Sequence, residues 1–163
     1  MMEQQQTTVA LEETAVQELA SHLRGALLRP GDAGYEQALR VYNGMIDKRP
    51  ALTAHCVDVA DVIAAVNFAR EHELTLAVRG GGHSGPGLGT CDDGLVIDLS
   101  GMKGIRVDPS ARTARVEGGC TWGEVDHATH PFGLATPSGF ISTTGVGGLT
   151  LGGGTGYLSR QGL

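Results

Sequence analysis

Glycine is distributed very unevenly along this chain, and that distribution limits how its second half can fold. Of the 26 glycines, 22 lie between Gly80 and Gly162. Each ordered glycine loses more chain entropy than alanine does, about 0.5–1 kcal/mol per position. So many are tolerated only where the backbone must turn with positive φ or lie directly against another group. We interpret this density as the sign of a ligand that rests on main chain.

The first third of the chain has helical patterns. Apolar residues recur at helical spacing from Val9 to Leu28, which predicts one helix that ends at the RPGD stretch of residues 29–32. Residues 34–39 predict a further short turn of helix, and residues 1–8 are predicted to be disordered.

A βαβ pattern follows. Residues 52–57 predict a short strand, Asp58 is a good helix N-cap, and the helix it opens is predicted to end near Glu71 and His72. Residues 74–79 (LTLAVR) then predict a buried strand that is paired in parallel with the first. A glycine loop begins where this strand ends, which is where α/β sheets place ligands.

The remainder changes character. Short strands are predicted at residues 95–99, 105–107 and 114–117, the last two joined by a turn. Residues 121–129 predict a short helix with a capping box. Residues 136–160 alternate glycine with small residues and predict little helix or strand. The fold class predicted from these patterns is α+β.

Composition excludes several classes of partner. The net charge is −6 without a Lys/Arg cluster, and 4% of residues are aromatic, so we expect no nucleic-acid partner and no membrane partner. The acidic N-terminus does not look like a signal peptide, and no apolar run approaches the ~18 residues of a membrane span. The cysteines Cys56, Cys91 and Cys120 are widely spaced, as expected of reduced thiols. We therefore expect a cytoplasmic protein.

The glycine loop VRGGGHSGPG, residues 78–87, satisfies the GxGxxG pattern only formally. The dinucleotide fingerprint requires a helix there, and residues 85–94 contain a proline and four glycines. No GK[ST] follows, so the P-loop is excluded as well. What remains is a nest of consecutive N–H groups beside Arg79, which suits a diphosphate. A surface loop without a ligand is the alternative.

His83 ends this nest. It has no neighbours that would complete a metal site, and a general base would be oddly placed at the phosphate end. A neutral imidazole can instead form a covalent bond with an electrophilic carbon of a bound cofactor. His127 and His130 are expected on a solvated helix surface rather than at a metal.

Three segments in unbroken order carry a specific resemblance: VRGGGHS, then GLVIDLSGMKGIRVDPSARTARVEGGCTWGEVD, then FGLATPSGFISTTGVGGLTLGGGTGYLSR. From about residue 50 to residue 163 the chain resembles the FAD-binding half of the FAD-linked oxidases of the berberine bridge enzyme-like group, in the vanillyl-alcohol oxidase/PCMH superfamily. Residues 42–44 also match. The resemblance implies a PCMH-type FAD-binding fold, with a βαβ subdomain and a mixed or antiparallel subdomain. We expect residues 1–48 to form a helical segment and residues 49–163 to form the FAD-binding domain, incomplete at its C-terminus.

The same resemblance implies which residues hold the cofactor. The FAD pyrophosphate would be wrapped by Arg79, Gly80, Gly81, Gly82, His83 and Ser84, with His83 joined to the 8α carbon of the flavin. The ribityl chain and the isoalloxazine would be lined by Pro137, Gly139, Thr143, Thr144, Gly147, Gly148 and Gly154.

The chain departs from the family pattern in two respects. Many relatives carry a second flavin link through a cysteine where this chain has Ile141, and Cys120 lies too far upstream to replace it. We expect one covalent link only. The substrate-binding domain and the catalytic base of the family would follow Leu163, so no catalytic residue is assigned, and no metal ligand.

The function implied is the FAD-binding portion of a flavin-dependent oxidoreductase. Such an enzyme takes hydride from a small organic substrate onto covalently held FAD and passes the electrons to dioxygen. Two alternatives stay open at this point: a truncated, inactive fragment of such an enzyme, and a non-covalent FAD-dependent dehydrogenase.

Overall fold

The structure is a computed structural model that describes residues 11–160. It contains one four-stranded sheet with helices, a separate two-stranded hairpin, and two long glycine-rich segments. The elements in chain order are α1 (Glu13–His22), β1 (Leu27–Leu28), α2 (Tyr35–Ala38), β2 (Leu52–His55), α3 (Val59–Glu71), β3 (Leu76–Arg79), β4 (Leu95–Asp98), β5 (Ile105–Asp108), β6 (Thr113–Val116), α4 (Trp122–Thr129) and α5 (Val146–Gly152). The α+β class is confirmed.

The strands of the main sheet follow the order β1-β2-β4-β3. β2, β4 and β3 are parallel, and β1 is antiparallel to β2. The predicted direct pairing of β2 with β3 is wrong, because β4 lies between them. All four residues of β4 are buried, as expected of a central parallel strand, whereas β3 buries only alternate residues and forms the edge.

The predicted helix after β2 is confirmed as α3. The Asp58 carboxylate accepts a hydrogen bond from the Asp61 N–H at 3.0 Å, which caps the first turn. Ala65 and Phe68 of α3 share the main hydrophobic core with β2, β4 and the apolar face of α1. The core therefore supports the end of the sheet at which β2, β3 and β4 terminate side by side.

The predicted N-terminal helix is too long. α1 ends at His22, and residues 27–28, expected to be helical, form β1 beside β2. The reason is Gly25: a Cβ there would stand 1.7 Å from the His55 carbonyl oxygen, so the chain must pass against β2 at this point. Residues 1–8, predicted to be disordered, and the first part of the predicted helix lie outside the described residues. The division at residues 48 and 49 stays a prediction.

The hairpin and the helix after it form as predicted. β5 and β6 are antiparallel, and Trp122 and Val125 of α4 form a second core with Cys120. The Glu124 carboxylate accepts a hydrogen bond from the Thr121 N–H at 2.6 Å, which completes the predicted capping box.

Residues 136–160 contain more regular secondary structure than predicted, because they include α5. This helix is held by long-range contacts that local sequence does not reveal. The Val146 N–H donates to the Cys120 carbonyl at 2.9 Å, and Val146 and Leu149 pack on the second core.

Candidate cofactor-binding site

The two glycine-rich segments meet face to face. A Cβ on Gly81 would stand 2.3 Å from the Gly145 nitrogen, and a Cβ on Gly145 would stand 2.2 Å from the Gly81 nitrogen. No side chain fits between these two backbones. Gly80 and Gly147 approach the Gly118 carbonyl oxygen in the same manner, at 3.1 Å and 3.0 Å from their hypothetical Cβ atoms.

These contacts revise the interpretation of the glycines. A substantial part of their density serves packing of main chain on main chain within the protein, not a ligand. Other glycines of the two segments have open space where a Cβ would be, with nothing within 4 Å; they are Gly85, Gly148, Gly152 and Gly153. It is this second group that offers bare backbone to a bound molecule.

A cavity of about 430 Å³ lies between the glycine loop and α5. Residues 78–86 form one wall, and Thr144, Gly148 and Gly152 lie on the other. On the opposite side of the loop a second cavity of about 520 Å³ is lined by residues 40–42, Ser100, Thr121 and Thr143, among others. Both volumes lie within the range of small-molecule sites. The loop is therefore open to a ligand on two sides.

The main chain of the glycine loop contains several N–H groups that are free to bind a ligand. None of the six consecutive N–H groups of residues 80–85 donates to another residue within the part of the chain that the structure describes. Residues 80–84 are only half-buried and Gly85 is exposed, so an incoming ligand can reach these N–H groups. Consecutive N–H groups at a strand end form a good anion site, and six of them suit a diphosphate.

Arg79 lies beside this nest, but its guanidinium is already engaged. Its Nη2 donates to the Asp98 carboxylate at 2.7 Å, and its Nη1 donates to the Ala38 carbonyl. The side chains of Arg79 and Asp98 are only 10% and 6% exposed. The guanidinium thus forms a buried ion pair at the end of β3 and β4 and fastens the last residue of α2 to the start of the loop.

Asp98 collects several donors at this point. Besides Arg79, its carboxylate accepts from the Ser100 N–H at 3.0 Å, and the His55 ring nitrogen Nδ1 lies 3.2 Å away. Burial by itself raises the pKa of Asp98, but the hydrogen bond and charge of Arg79, with smaller contributions from Ser100 and His55, hold that pKa below its usual value. The carboxylate therefore stays ionised and keeps the ends of β2, β3 and β4 together.

His83 is held between two side chains. Its Nε2 lies 2.9 Å from the Thr143 hydroxyl oxygen, and its ring stacks on Tyr42 with centroids 4.1 Å apart and planes inclined by 19°. The Ser84 hydroxyl points along the loop and accepts from the Leu88 N–H at 3.0 Å. The structure thus joins the loop to Thr143, a residue sixty positions later in the chain.

Only part of the second predicted group meets the loop. Thr143 contacts His83, while Thr144 and Gly148 line the cavity. Gly147 packs on Gly118, and Gly139 and Gly154 pack against Leu149. Within residues 11–160, Pro137, Gly139 and Gly154 do not line either cavity beside the loop.

Sequence reasoning missed three residues of this site. Tyr42 and Asn43 lie in a stretch that matched the family pattern but received no role. The Tyr42 N–H donates to the Gly82 carbonyl at 3.0 Å, and the Asn43 side-chain amide donates to the Gly85 carbonyl at 2.8 Å. Asp98 likewise received no role in the site. A family alignment was the one signal that could have marked Tyr42.

Among residues 11–160 no group of three or more His, Cys, Asp or Glu side chains is arranged to hold a metal ion. In the same part of the chain, no helix has the length and apolar character that crossing a membrane requires. Cys56, Cys91 and Cys120 are free and buried, and burial raises the pKa of Cys56 to about 12.

Comparison with known proteins identifies the class to which this fold and site belong. Residues 50–162 match the FAD binding domain family, and the chain belongs to that family. An FAD-linked oxidoreductase of Dictyostelium discoideum is 44% identical over 147 residues, which are 90% of this chain and 32% of that protein. Several of its relatives are named FAD-linked oxidoreductases.

Two solved structures place the chain more closely. The 6-hydroxy-D-nicotine oxidase of Arthrobacter nicotinovorans superposes with a TM-score of 0.83 at 34% identity, covering 85% of this chain and 31% of that one. The berberine bridge enzyme-like 1 protein of Physcomitrella patens gives a TM-score of 0.83 at 30% identity, covering 90% and 32%. The PCMH-type fold and the likeness to the FAD-binding part of the berberine bridge enzyme-like group are confirmed. The chain spans about a third of the length of these relatives.

Proposed function

We propose that the glycine loop binds the diphosphate of FAD. The observation that carries the proposal is the run of six N–H groups at residues 80–85 that have no partner within residues 11–160; these residues line a cavity at the end of a parallel strand. The proposed contacts come from Arg79, Gly80, Gly81, Gly82, His83 and Ser84. Arg79 contributes by fixing the start of the loop through Asp98 rather than by offering a free guanidinium.

The second glycine segment is proposed to hold the ribityl chain and the isoalloxazine. Thr144 and Gly148 support this, because they lie across the cavity from the loop and Gly148 presents open backbone there. A flat ring resting on main chain requires small residues, which this segment supplies. Thr143 and Gly147 belong to the same proposed surface, as do Pro137 and Gly139 earlier in the segment and Gly154 later in it.

The proposed activity is that of a flavin-dependent oxidoreductase acting on a small organic molecule, with dioxygen as the acceptor. The bound flavin supplies the chemistry, since it accepts hydride from the substrate. The residues of this chain bind and orient the cofactor. Among named relatives, one acts as a 6-hydroxy-D-nicotine oxidase and another, a grass pollen allergen, has glucose dehydrogenase activity. The cytoplasmic location belongs to the same proposal, and the free cysteines support it.

We further propose that His83 is the point of covalent attachment and that it is the only one. The imidazole lies on the loop that would carry the diphosphate and lines both cavities beside it. A histidine fixed next to a bound cofactor can bond to an electrophilic carbon of that cofactor. Ile141 supplies no thiol for a second link.

Flavin fluorescence of the protein band on a denaturing gel tests this proposal. The protein, produced with FAD, should give a fluorescent band, and His83→Ala should give a dark one. His127→Ala is the matched control, because His127 is an exposed histidine on α4 outside both cavities. A dark wild-type band from protein that still carries FAD in its native state would reject the covalent link and leave the non-covalent dehydrogenase. Absence of FAD from the native protein would reject the binding site itself.

A further inference from the structure

One segment of the chain runs along the glycine loop and holds it from one side. We call this segment, residues 38–48, the strap. It begins at the Ala38 carbonyl, which accepts from the Arg79 guanidinium at the start of the loop. Further along, the strap donates to carbonyls of the loop and of the residues just after it: the Tyr42 N–H to Gly82 at 3.0 Å, the Asn43 amide to Gly85 at 2.8 Å, and the Lys48 ammonium to Gly87 at 3.1 Å and to Thr90 at 3.3 Å. The strap therefore follows the loop from its start to its end.

The bonds that the strap donates are all to carbonyl groups, and this gives the loop two different sides. In a trans peptide unit the C=O and N–H groups point in opposite directions. The bond from Tyr42 to the Gly82 carbonyl therefore turns the His83 N–H away from the strap. Within residues 11–160 no N–H of residues 80–85 has a partner, although the carbonyls of Gly82 and Gly85 are both bonded. The strap thus determines which side of the loop offers donors.

The strap is also packed against the loop. Gly87 is buried with a φ of +73°, and a Cβ there would stand 2.9 Å from two methyl carbons of Ile46. Ile46 therefore lies directly on the main chain of the loop. The Asn43 side chain is held at both ends, because its Oδ1 accepts from the Met45 N–H at 3.1 Å while its Nδ2 donates to Gly85. The amide cannot rotate without losing one of these bonds.

Lys48 carries a charge that no carboxylate compensates within the part of the chain that the structure describes. Its half-buried ammonium is bonded to two carbonyl oxygens and forms no ion pair there, whereas the Arg79 guanidinium is paired with Asp98. A diphosphate on the loop would bring negative charge near this ammonium, and the attraction between such charges is screened by salt. The charge of Lys48 therefore favours an anion at the loop.

We propose that Asn43 and Lys48 are positioning residues that order the glycine loop before the diphosphate of FAD binds. This inference rests on the proposed binding of FAD at the loop. By holding the carbonyls at the far end of the loop, the two side chains keep the N–H groups of residues 80–85 in one arrangement. Glycine-rich main chain loses more conformational entropy on ordering than other chain does, and ordering at the moment of binding weakens affinity. A loop that the strap has already ordered binds the same anion more tightly.

The first test measures the order of the loop in the apoprotein, without FAD. Amide order parameters are about 0.85 in rigid backbone and below about 0.6 in flexible backbone. Residues 80–85 should be near the rigid value in the wild type and should fall in Asn43→Asp and Lys48→Met. Asn43→Asp is closely matched, because it keeps the acceptor for the Met45 N–H and loses only the donor to Gly85. Equal order parameters in the wild type and both variants would overturn the inference.

The second test measures the dissociation constant for FAD by titration. Asn43→Asp should raise it about two- to tenfold, as expected for one neutral hydrogen bond, and Lys48→Met about tenfold or more, because its donor is charged. Lys48→Arg, which keeps the charge and the donors, should restore most of the affinity. Met45→Ala is the control on the strap, because the Met45 side chain is 87% exposed.

Salt separates the two contributions of charge and order. High salt screens the extra negative charge of Asn43→Asp, so a loss of affinity that persists there reports the lost hydrogen bond. The affinity of Lys48→Met should depend less on salt than that of the wild type or Lys48→Arg, which a purely structural role of Lys48 would not produce. Wild-type affinity in both Asn43→Asp and Lys48→Met would overturn the inference. A wild type that does not bind FAD would reject the proposed function, and the order parameters would still decide whether the strap orders the loop.

Discussion

Alanine at Gly145 and alanine at Gly148 should have opposite effects, although the two positions are only three residues apart. At Gly145 a Cβ would lie 2.2 Å from the Gly81 nitrogen and 2.8 Å from the Gly81 Cα, both backbone atoms with no freedom to rotate away. The two glycine segments must separate to admit it. Overpacking of this kind typically costs about 1–3 kcal/mol. Because the contacts at Gly145 are with rigid backbone, we expect the free energy of unfolding of Gly145→Ala to fall by about 3 kcal/mol or more.

At Gly148 nothing lies within 4 Å of a Cβ, and the residue is inside α5. Alanine is favoured over glycine in a helix by up to about 1 kcal/mol, so Gly148→Ala should be as stable as the wild-type apoprotein or slightly more stable. Its methyl group would project toward the cavity beside the glycine loop. A clash of about 1–3 kcal/mol with a bound cofactor corresponds to a dissociation constant for FAD that is roughly 5- to 150-fold higher.

Two measurements separate these effects. Urea unfolding of the apoprotein can be followed by fluorescence of Trp122, the only tryptophan and a buried one. Titration with FAD gives the dissociation constant. Wild-type stability in Gly145→Ala would refute the proposed packing of main chain on main chain. Wild-type affinity in a folded Gly148→Ala protein would show that the cavity is not where the cofactor lies.

Three further predictions concern buried polar groups. Asp98→Asn leaves the buried Arg79 guanidinium without a negative partner and should lower the free energy of unfolding by about 3–5 kcal/mol in urea titrations. A loss below about 1 kcal/mol would contradict the buried ion pair. The pKa of Asp98 is lower in the folded protein than in the unfolded chain, so the ionised carboxylate stabilises the fold. This stabilisation is complete above the unfolded pKa of about 3.9 and is lost as the pH falls through the folded pKa. Asp98→Asn should remove that part of the acid dependence of stability, measured as urea midpoints against pH. Asp61→Ala removes the acceptor of three main-chain N–H groups, those of residues 24, 25 and 57, and should destabilise by at least about 3 kcal/mol in the same assay without changing the affinity of the folded protein for FAD. Burial raises the pKa of the Cys56 thiol to about 12, so a thiol reagent at mildly alkaline pH should label it only after unfolding, and fast labelling of the native protein would show that it is accessible.

The parts of the fold that sequence predicted are those with local signals. Asp58 and the capping pair at Thr121 and Glu124 mark helix starts by themselves, and the hairpin is marked by its turn. The position of β4 between β2 and β3 depends on pairing across distant segments, which no window of residues contains. The early end of α1 depends in the same way on a contact between Gly25 and His55.

The candidate site divides along the same line. The glycine nest and His83 could be found from sequence, because residue type and spacing suffice to suggest an anion and a nucleophile. The engagement of Arg79 could not, since a guanidinium beside a nest looks the same whether it faces a phosphate or a buried Asp98. The stack of Tyr42 on His83 joins residues forty-one positions apart, so no local sequence pattern indicates it. For the same reason, glycines that serve internal packing could not be told from those that serve a ligand.

A crystal structure of the protein with FAD is the most direct measurement of the cofactor's place. We predict that the diphosphate oxygens lie within hydrogen-bond distance of several N–H groups of residues 80–85, and that the His83 ring lies against the dimethyl edge of the flavin. A diphosphate bound elsewhere, with those N–H groups facing only water, would contradict the role we assign to the glycine loop.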